Sequence, residues 1–367
     1  MGRRESVCSL CSSGSWIAER ENDEWADIDC EACGSYRLLT DEPLDYLEGA
    51  ADGQRSILTL LVRRLHEDGG RFPLSAENAA LFTHTYTLAT AACEQFGLRN
   101  SQLRHSRGWE YVTPLYIVDT DGGRFTVRIY GNDISFNGAL SELLWLRSVR
   151  ESAGIEVPNP ADSVEGPWLQ TVHAEGDARN CAVFPWIPGV RLEDVPAEQR
   201  TRALIETFGE FLAKMHNASE QFEAPPWFDR HRYGAEEFRR DMAANLAEED
   251  FPAESERELR EAGLRRLQLM EELGEGKDVF GLVQPDLSAR NVLANGGDIA
   301  CVDFYELGYG HYLMDLVQAL HRTVNEGERE AVLDGYQRAR PLPDRFEERR
   351  KIIREARAFP RGWWMVS

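Results

Sequence analysis

The apolar positions of the chain change period several times. Residues 53–70, "GQRSILTLLVRRLHEDGG", carry apolar side chains at helical spacing and end in two glycines, which predicts an amphipathic helix. "SAENAALFTHTYTLATAACEQFG" predicts a second, with Ser75 as its N-cap and Gly97 at its end. "EYVTPLYIVDTDGGRFTVRIYG" places β-branched and aromatic residues on both sides of Asp121-Gly122-Gly123, the pattern of a hairpin. "SELLWLRSVRESAGI" returns to the helical period, with Glu142 near its start and Gly154 at its end. A strand, "WLQTVHAE", follows, and then an apolar strand, "NCAVFPWIPGVRLEDV", broken by a Pro/Gly hinge. "LIETFGEFLAKMHNAS" and the Glu-rich stretch 235–276 predict helices. In "VFGLVQPDLSARNVLANGGDIACVDFYELGYGHYLMDLVQAL" short apolar runs alternate with turn residues, and Asn295-Gly296-Gly297 reads as a hairpin turn.

At 367 residues the chain is long enough for two or three domains, and 42% hydrophobic residues suffice to bury their cores. A net charge of −22 argues against general binding of a nucleic-acid backbone. Near the N-terminus Arg3, Arg4, Arg37 and the Arg63-Arg64 pair, scattered among acidic residues, are too little for a nucleic-acid footprint. No apolar run reaches membrane-spanning length, and no export signal stands at the start. The expectation is a cytoplasmic protein in which Cys93, Cys181 and Cys301 are buried free thiols.

The other four cysteines are paired as "CSLC" (Cys8, Cys11) and "CEACG" (Cys30, Cys33), with eighteen residues between the pairs. Each CxxC turn aims two thiolates at one point, and two such turns close a tetrahedral S₄ site for structural Zn²⁺, with no position left for water. Gly34 lets the backbone turn behind the second pair. The stretch resembles a small zinc ribbon, a module used for stabilisation or for contact with a partner protein.

The segment 283–304 has the residues that phosphoryl transfer needs. Asp286 is an acid placed to orient an acceptor hydroxyl. Asn291 and Asp303 are an amide and a second acid able to hold Mg²⁺. The order "QPDLSARN", apolar hairpin, "VDF", "GYG", Asp315-Leu316 resembles the aminoglycoside phosphotransferase family, which includes homoserine-kinase-like and choline-kinase-like enzymes and shares its fold with protein kinases. The family pattern is His-Gly-Asp-Leu-His-x-x-Asn, so Gln284 and Pro285 depart from it. The resemblance spans about residues 81–340. It implies an α+β, bilobal protein-kinase-like fold, divided as zinc ribbon 1–45, helical connector 46–80, small lobe 81–187 and large lobe 188–367.

It further implies ATP and Mg²⁺ as cofactors. Arg128 would stand for the phosphate-binding cation of the third strand and Glu142 for its helix partner. Gly108 would serve the phosphate-covering loop. Phe184, Trp186 and Ile187 would form the hinge against adenine. His216 is expected in packing, and Asp315 as a buried brace. The function implied is transfer of a γ-phosphoryl group to a hydroxyl of a small molecule or a protein Ser/Thr. Gln284, Pro285 and the few loop glycines leave an alternative, a pseudokinase that senses nucleotide or binds a partner without transfer.

Overall fold

The first CxxC pair closes the hairpin of β1 (Arg3–Val7) and β2 (Gly14–Glu19), and the second closes that of β3 (Ala26–Cys30) and β4 (Gly34–Leu38). Because β2 and β3 also pair antiparallel, with Ser15 opposite Cys30, both Cys turns fall at the same end of the sheet. This is a computed structural model; it describes residues 3–19, 26–38, 52–67, 71–105, 115–174, 176–248, 253–321 and 325–355. Two compact units emerge, Met1–Ala139 with Pro160–Trp186, and Leu140–Asn159 with Ile187–Ser367.

In the first unit, helix α1 (Asp52–Glu67) leads to β5 (Phe72–Leu74), which joins β4 in parallel as a fifth strand. Helix α2 (Ala76–Gln95) starts at Ser75, whose Oγ accepts the Asn78 N–H at 3.0 Å. A second sheet has the order β6-β7-β8-β10-β9, built from β6 (Gln102–His105), β7 (Leu115–Thr120), β8 (Gly123–Ile129), β9 (Gln170–Ala174) and β10 (Asp177–Pro185). The expected hairpin is β7–β8, turning at Thr120–Gly123. One continuous apolar core runs from Cys8, Leu10 and Tyr36 through Leu58, Leu61 and Phe82 to Tyr116, Val127 and Val183. The cysteine sheet, both helices and the second sheet therefore share a single interior.

The second unit is mainly helical. Helix α3 (Phe136–Ala153), which belongs to this unit from Leu140 on, begins before the expected start: the Ser135 Oγ accepts the Gly138 N–H at 2.9 Å and caps a first turn of weak helix formers, Asn137 and Gly138. After β11 (Val190–Arg191) come α4 (Arg202–Gln221), β12 (His231–Arg232), α5 (Ala235–Glu248), α6 (Ala253–Leu273) and β13 (Phe280–Val283). The hairpin β14 (Val292–Asn295) and β15 (Asp298–Cys301), strand β16 (Gly308–His311), and helices α7 (Tyr312–His321), α8 (Glu326–Gln337) and α9 (Phe346–Glu355) complete it. Two three-stranded sheets, β11-β14-β15 and β12-β16-β13, carry the loops of the candidate site. The class is α+β.

Candidate active site

Strand β13 is apolar and almost wholly buried, so the chain leaves it at a fixed point, Gln284. The Gln284 backbone N–H donates to Asp315 Oδ2 at 3.1 Å, and its side-chain Nε2 donates to the backbone carbonyl of Asp303. Asp315 is fully buried and also takes His216 Nε2 at 3.1 Å, while His216 Nδ1 lies 2.9 Å from the Tyr336 hydroxyl. Burial holds His216 below its ordinary pKa, so a neutral imidazole donates to Asp315 and accepts from Tyr336. Burial likewise pushes the Asp315 carboxyl up, against the His216 bond. Asp315 thus sits where the expected brace would act, and His216, expected in packing, also hydrogen-bonds to it.

Asp286 follows two residues after Gln284. Asn291 Nδ2 donates to its Oδ2 and to its backbone carbonyl, both at 2.9 Å. Gln318 Nε2, from α7, lies 3.3 Å from Oδ1, and the Arg290 guanidinium lies 3.3 Å from Oδ2. Burial raises the Asp286 pKa, opposed first by the charge of Arg290 and then by the Asn291 bond. With its nitrogen engaged on Asp286, Asn291 turns its carboxamide oxygen away from that residue. Asp303 holds φ at 64°, a left-handed conformation unusual for a residue with a Cβ. The β14–β15 hairpin sets Asn291 and Asp303 at its two ends, where the Val302 N–H donates to the Asn291 carbonyl at 2.8 Å; an amide oxygen and a carboxylate are hard donors of the kind that fit Mg²⁺.

Glu142 is 1% exposed on α3, and its carboxylate lies 3.9 Å from the guanidinium of Arg230, whose side chain is largely covered. In the first unit, Arg128 sits on β8 between inward-facing Val127 and Ile129, opposite Ala182 of β10. Phe184 is buried, and Trp186 is 37% exposed with the Arg124 guanidinium 5.5 Å from its ring centre. The Trp186 N–H donates to the Arg124 carbonyl at 2.9 Å, so its amide is spent within the sheet. By the alternation of an extended strand, Val183 and Pro185 face the other edge, where the Val183 carbonyl accepts Ala161 N–H at 2.8 Å. Ile187 begins the second unit's main segment. Gly108 and the loop assigned to the phosphates lie outside the described residues.

The four N-terminal cysteines converge. All four Sγ atoms lie within 4.8 Å of one another, with Cys8–Cys33 at 3.5 Å, Cys11–Cys30 at 3.4 Å and Cys11–Cys33 at 3.7 Å. A tetrahedron of Zn–S bonds has edges of about 3.8 Å. The Ala32 and Cys33 N–H groups point at Cys30 Sγ, at 3.4 and 3.5 Å. The Cys33 thiol and then the Tyr36 hydroxyl hold the Cys8 thiol far down, at about 4, against burial. Four converging cysteine sulfurs are a donor set that fits a soft divalent cation.

A family model described as "Phosphotransferase enzyme family" matches residues 106–349, well over half of the chain. The chain belongs to this family. Amicoumacin kinase of Bacillus subtilis (strain 168) is 24% identical over 187 residues, which are 50% of this chain and 52% of that protein, so the match spans about half the relative's length. Among solved structures, the microcompartment-associated aminopropanol kinase superposes with a TM-score of 0.64 at 23% identity, covering 77% of this chain and 90% of the other. An amicoumacin kinase in complex with AMP-PNP, Ca²⁺ and Ami gives a TM-score of 0.61 at 18% identity, covering 74% and 84%. These likenesses establish the protein-kinase-like fold.

As a member of the phosphotransferase family, the chain carries its cysteine cluster outside the matched segment. Its loop brings together Gln284, Asp286, Asn291, Asp303 and Asp315 as their sequence order implies. Three partners escaped sequence reasoning: Arg290, Gln318 and Arg230. Arg290 was visible four residues after Asp286, within one helical turn; the other two meet the loop only through the tertiary fold.

Proposed function

We propose that the protein is an ATP- and Mg²⁺-dependent kinase that transfers the γ-phosphoryl group to a hydroxyl of a small molecule. The observation that carries this is the joint geometry of Asp286, Asn291 and Asp303, with the Gln284 amide on the Asp303 carbonyl. Asp286 orients the acceptor hydroxyl and takes its proton as that oxygen bonds to the γ-phosphorus; the bond from phosphorus to the β-phosphate oxygen breaks, and ADP leaves. Asn291 and Asp303 would hold Mg²⁺, whose chemistry is to neutralise the phosphate charge. Arg128 supplies a fixed cation for the phosphates. At the hinge, the alternation of β10 favours the Pro185 carbonyl, rather than the Trp186 amide, for the adenine edge. Kinase relatives with small-molecule acceptors support that acceptor class over a protein Ser/Thr.

The cysteine cluster is read as a structural Zn²⁺ site. Its placement in the common interior of the first unit supports a stabilising role rather than a detachable docking module for a partner. The pseudokinase alternative loses one of its grounds, because Gln284 supplies a donor where the family pattern has histidine.

The test is ADP formation from Mg-ATP with a panel of amino alcohols, sugars and aminoglycosides, beside an Asp303→Ala control. Acceptor-dependent ADP release lost in the control is the expected result. ATP binding without release across the panel, with a phosphorylated protein substrate or none, would overturn the small-molecule reading.

A further inference from the structure

The loop after Asp303 is held by a strand that no motif marks. Residues 228–233 lie between α4 and α5. Within them β12 runs parallel to β16, with His231 opposite Gly308 and Arg232 opposite Tyr309. The Tyr233 N–H donates to the Tyr309 carbonyl at 2.6 Å. The approach is so close that a Cβ on Gly308 would stand 2.6 Å from the His231 carbonyl oxygen and from the Tyr233 ring. This accounts for the first glycine of "GYG" in physical terms.

From that strand two side chains reach the loop. Arg230 Nε donates to the Leu307 carbonyl at 2.7 Å, and an Nη of the same guanidinium donates to the Tyr305 carbonyl. The Tyr233 hydroxyl donates to the Glu306 carbonyl at 2.8 Å. Gln284 takes the Asp303 carbonyl, and the Leu307 N–H takes that of Phe304 at 3.1 Å. Every backbone carbonyl from Asp303 to Leu307 thus has a donor. The planar fork of arginine spans two carbonyls on one loop, which a lysine ammonium on a flexible stem does not reproduce. The Arg230 side chain is 4% exposed, and a cation so covered needs a counter-charge; Glu142 supplies it at 3.9 Å. The neighbouring Asp229 N–H is tied to Ser141 of the same helix at 2.9 Å.

We infer that Arg230 is a positioning residue for the Mg²⁺ ligand Asp303: it clamps the loop that holds Asp303 in its left-handed conformation, with Glu142 as its buried counter-ion. The inference rests on the kinase reading of the site. It gives Glu142 a task in the second unit besides any bearing on Arg128, and it makes the segment before the Glu-rich helices a part of the metal loop's support.

The experiment uses the full chain and the variants Arg230→Lys and Glu142→Gln, with Asp303→Ala as control. Two readouts are taken: hydrogen exchange of peptides covering residues 303–309, and binding of Mn²⁺ as probe in the presence of AMP-PNP. Arg230→Lys keeps the charge, hence the fold, and gives up the fork. Expected are faster exchange in 303–309 with the β14–β15 hairpin unchanged, and Mn²⁺ affinity lower by about tenfold, the scale for groups that orient metal ligands. Glu142→Gln should move both readouts in the same direction. Wild-type exchange and wild-type Mn²⁺ affinity in both variants would overturn the clamp. If the wild type binds no Mn²⁺ with nucleotide, the kinase reading fails, and the exchange data alone decide whether the loop is clamped.

Discussion

In the proposed mechanism Gln284 and Asp286 divide two tasks within three positions. Gln284 would hold the loop and Asp286 would meet the acceptor, so their variants should fail differently. Gln284→Leu removes the donor to the Asp303 carbonyl in a buried setting, at a cost of about 1–3 kcal/mol. Turnover should fall by about tenfold or more, whereas Gln284→His, which keeps a donor, should retain most of it. Steady-state kinetics on the two variants check this; equal activity of Gln284→Leu and wild type would show that the brace is not needed. Asp286 is read through pH. Its folded pKa lies above the ordinary aspartate value, mainly by burial, and a proton acceptor works only when ionised. Activity is therefore lost as pH falls through that raised pKa, and the acid limb of kcat/KM should sit above the usual carboxylate range. Arg290 is the largest influence holding the pKa down, so Arg290→Gln should shift the limb to higher pH. An unmoved limb would remove Asp286 as the titrating base.

Helix α4 was legible from its apolar period, and so was the hairpin β14–β15 from its Asn-Gly-Gly turn. The candidate loop could be picked out because phosphoryl transfer needs few residues at short spacing. What was not legible lies in contacts between distant elements: Arg230 meets Leu307 across 77 positions and Gln318 meets Asp286 across 32, and no local period encodes either. The same holds for the crossing of α4 and α8. Gly209 sits inside α4, where glycine costs about 1 kcal/mol relative to alanine in an exposed helix. The crossing explains it: a Cβ there would lie 1.9 Å from the Val332 carbonyl oxygen, and a Cβ on Gly335 would lie 1.9 Å from that of Glu206. The two backbones touch at paired glycines, and backbone atoms cannot move aside as a flexible side chain does. Gly209→Ala should therefore destabilise the second unit by about 1–3 kcal/mol despite the better helix propensity, read as a lowered unfolding midpoint. A neutral or raised midpoint would mean that the crossing relaxes freely.

At the scale of the whole molecule, the consequence of the cysteine cluster depends on the core it joins. Cys8, Cys30 and Cys33 are buried in the same apolar cluster as Leu58 and Leu61 of α1, Leu88 of α2, and Val118, Val127 and Val183 of the second sheet. A module with its own core would unfold alone on losing its metal. Here the interior is shared, so binding of the proposed Zn²⁺ would be linked to the folding of the entire first unit, including β8 with Arg128 and β10 with Phe184. Removing Zn²⁺ with a strong chelator, or introducing Cys33→Ser, should lower the unfolding midpoint and speed hydrogen exchange in β7 and β8 as well as in β1–β4. On the proposed kinase reading nucleotide affinity should fall with it, because Arg128 and the proposed hinge residues Phe184 and Trp186 lie on or next to that sheet. Exchange confined to residues 3–38, with β7, β8 and nucleotide affinity unchanged, would show that the cysteine sheet folds independently of the lobe it adjoins.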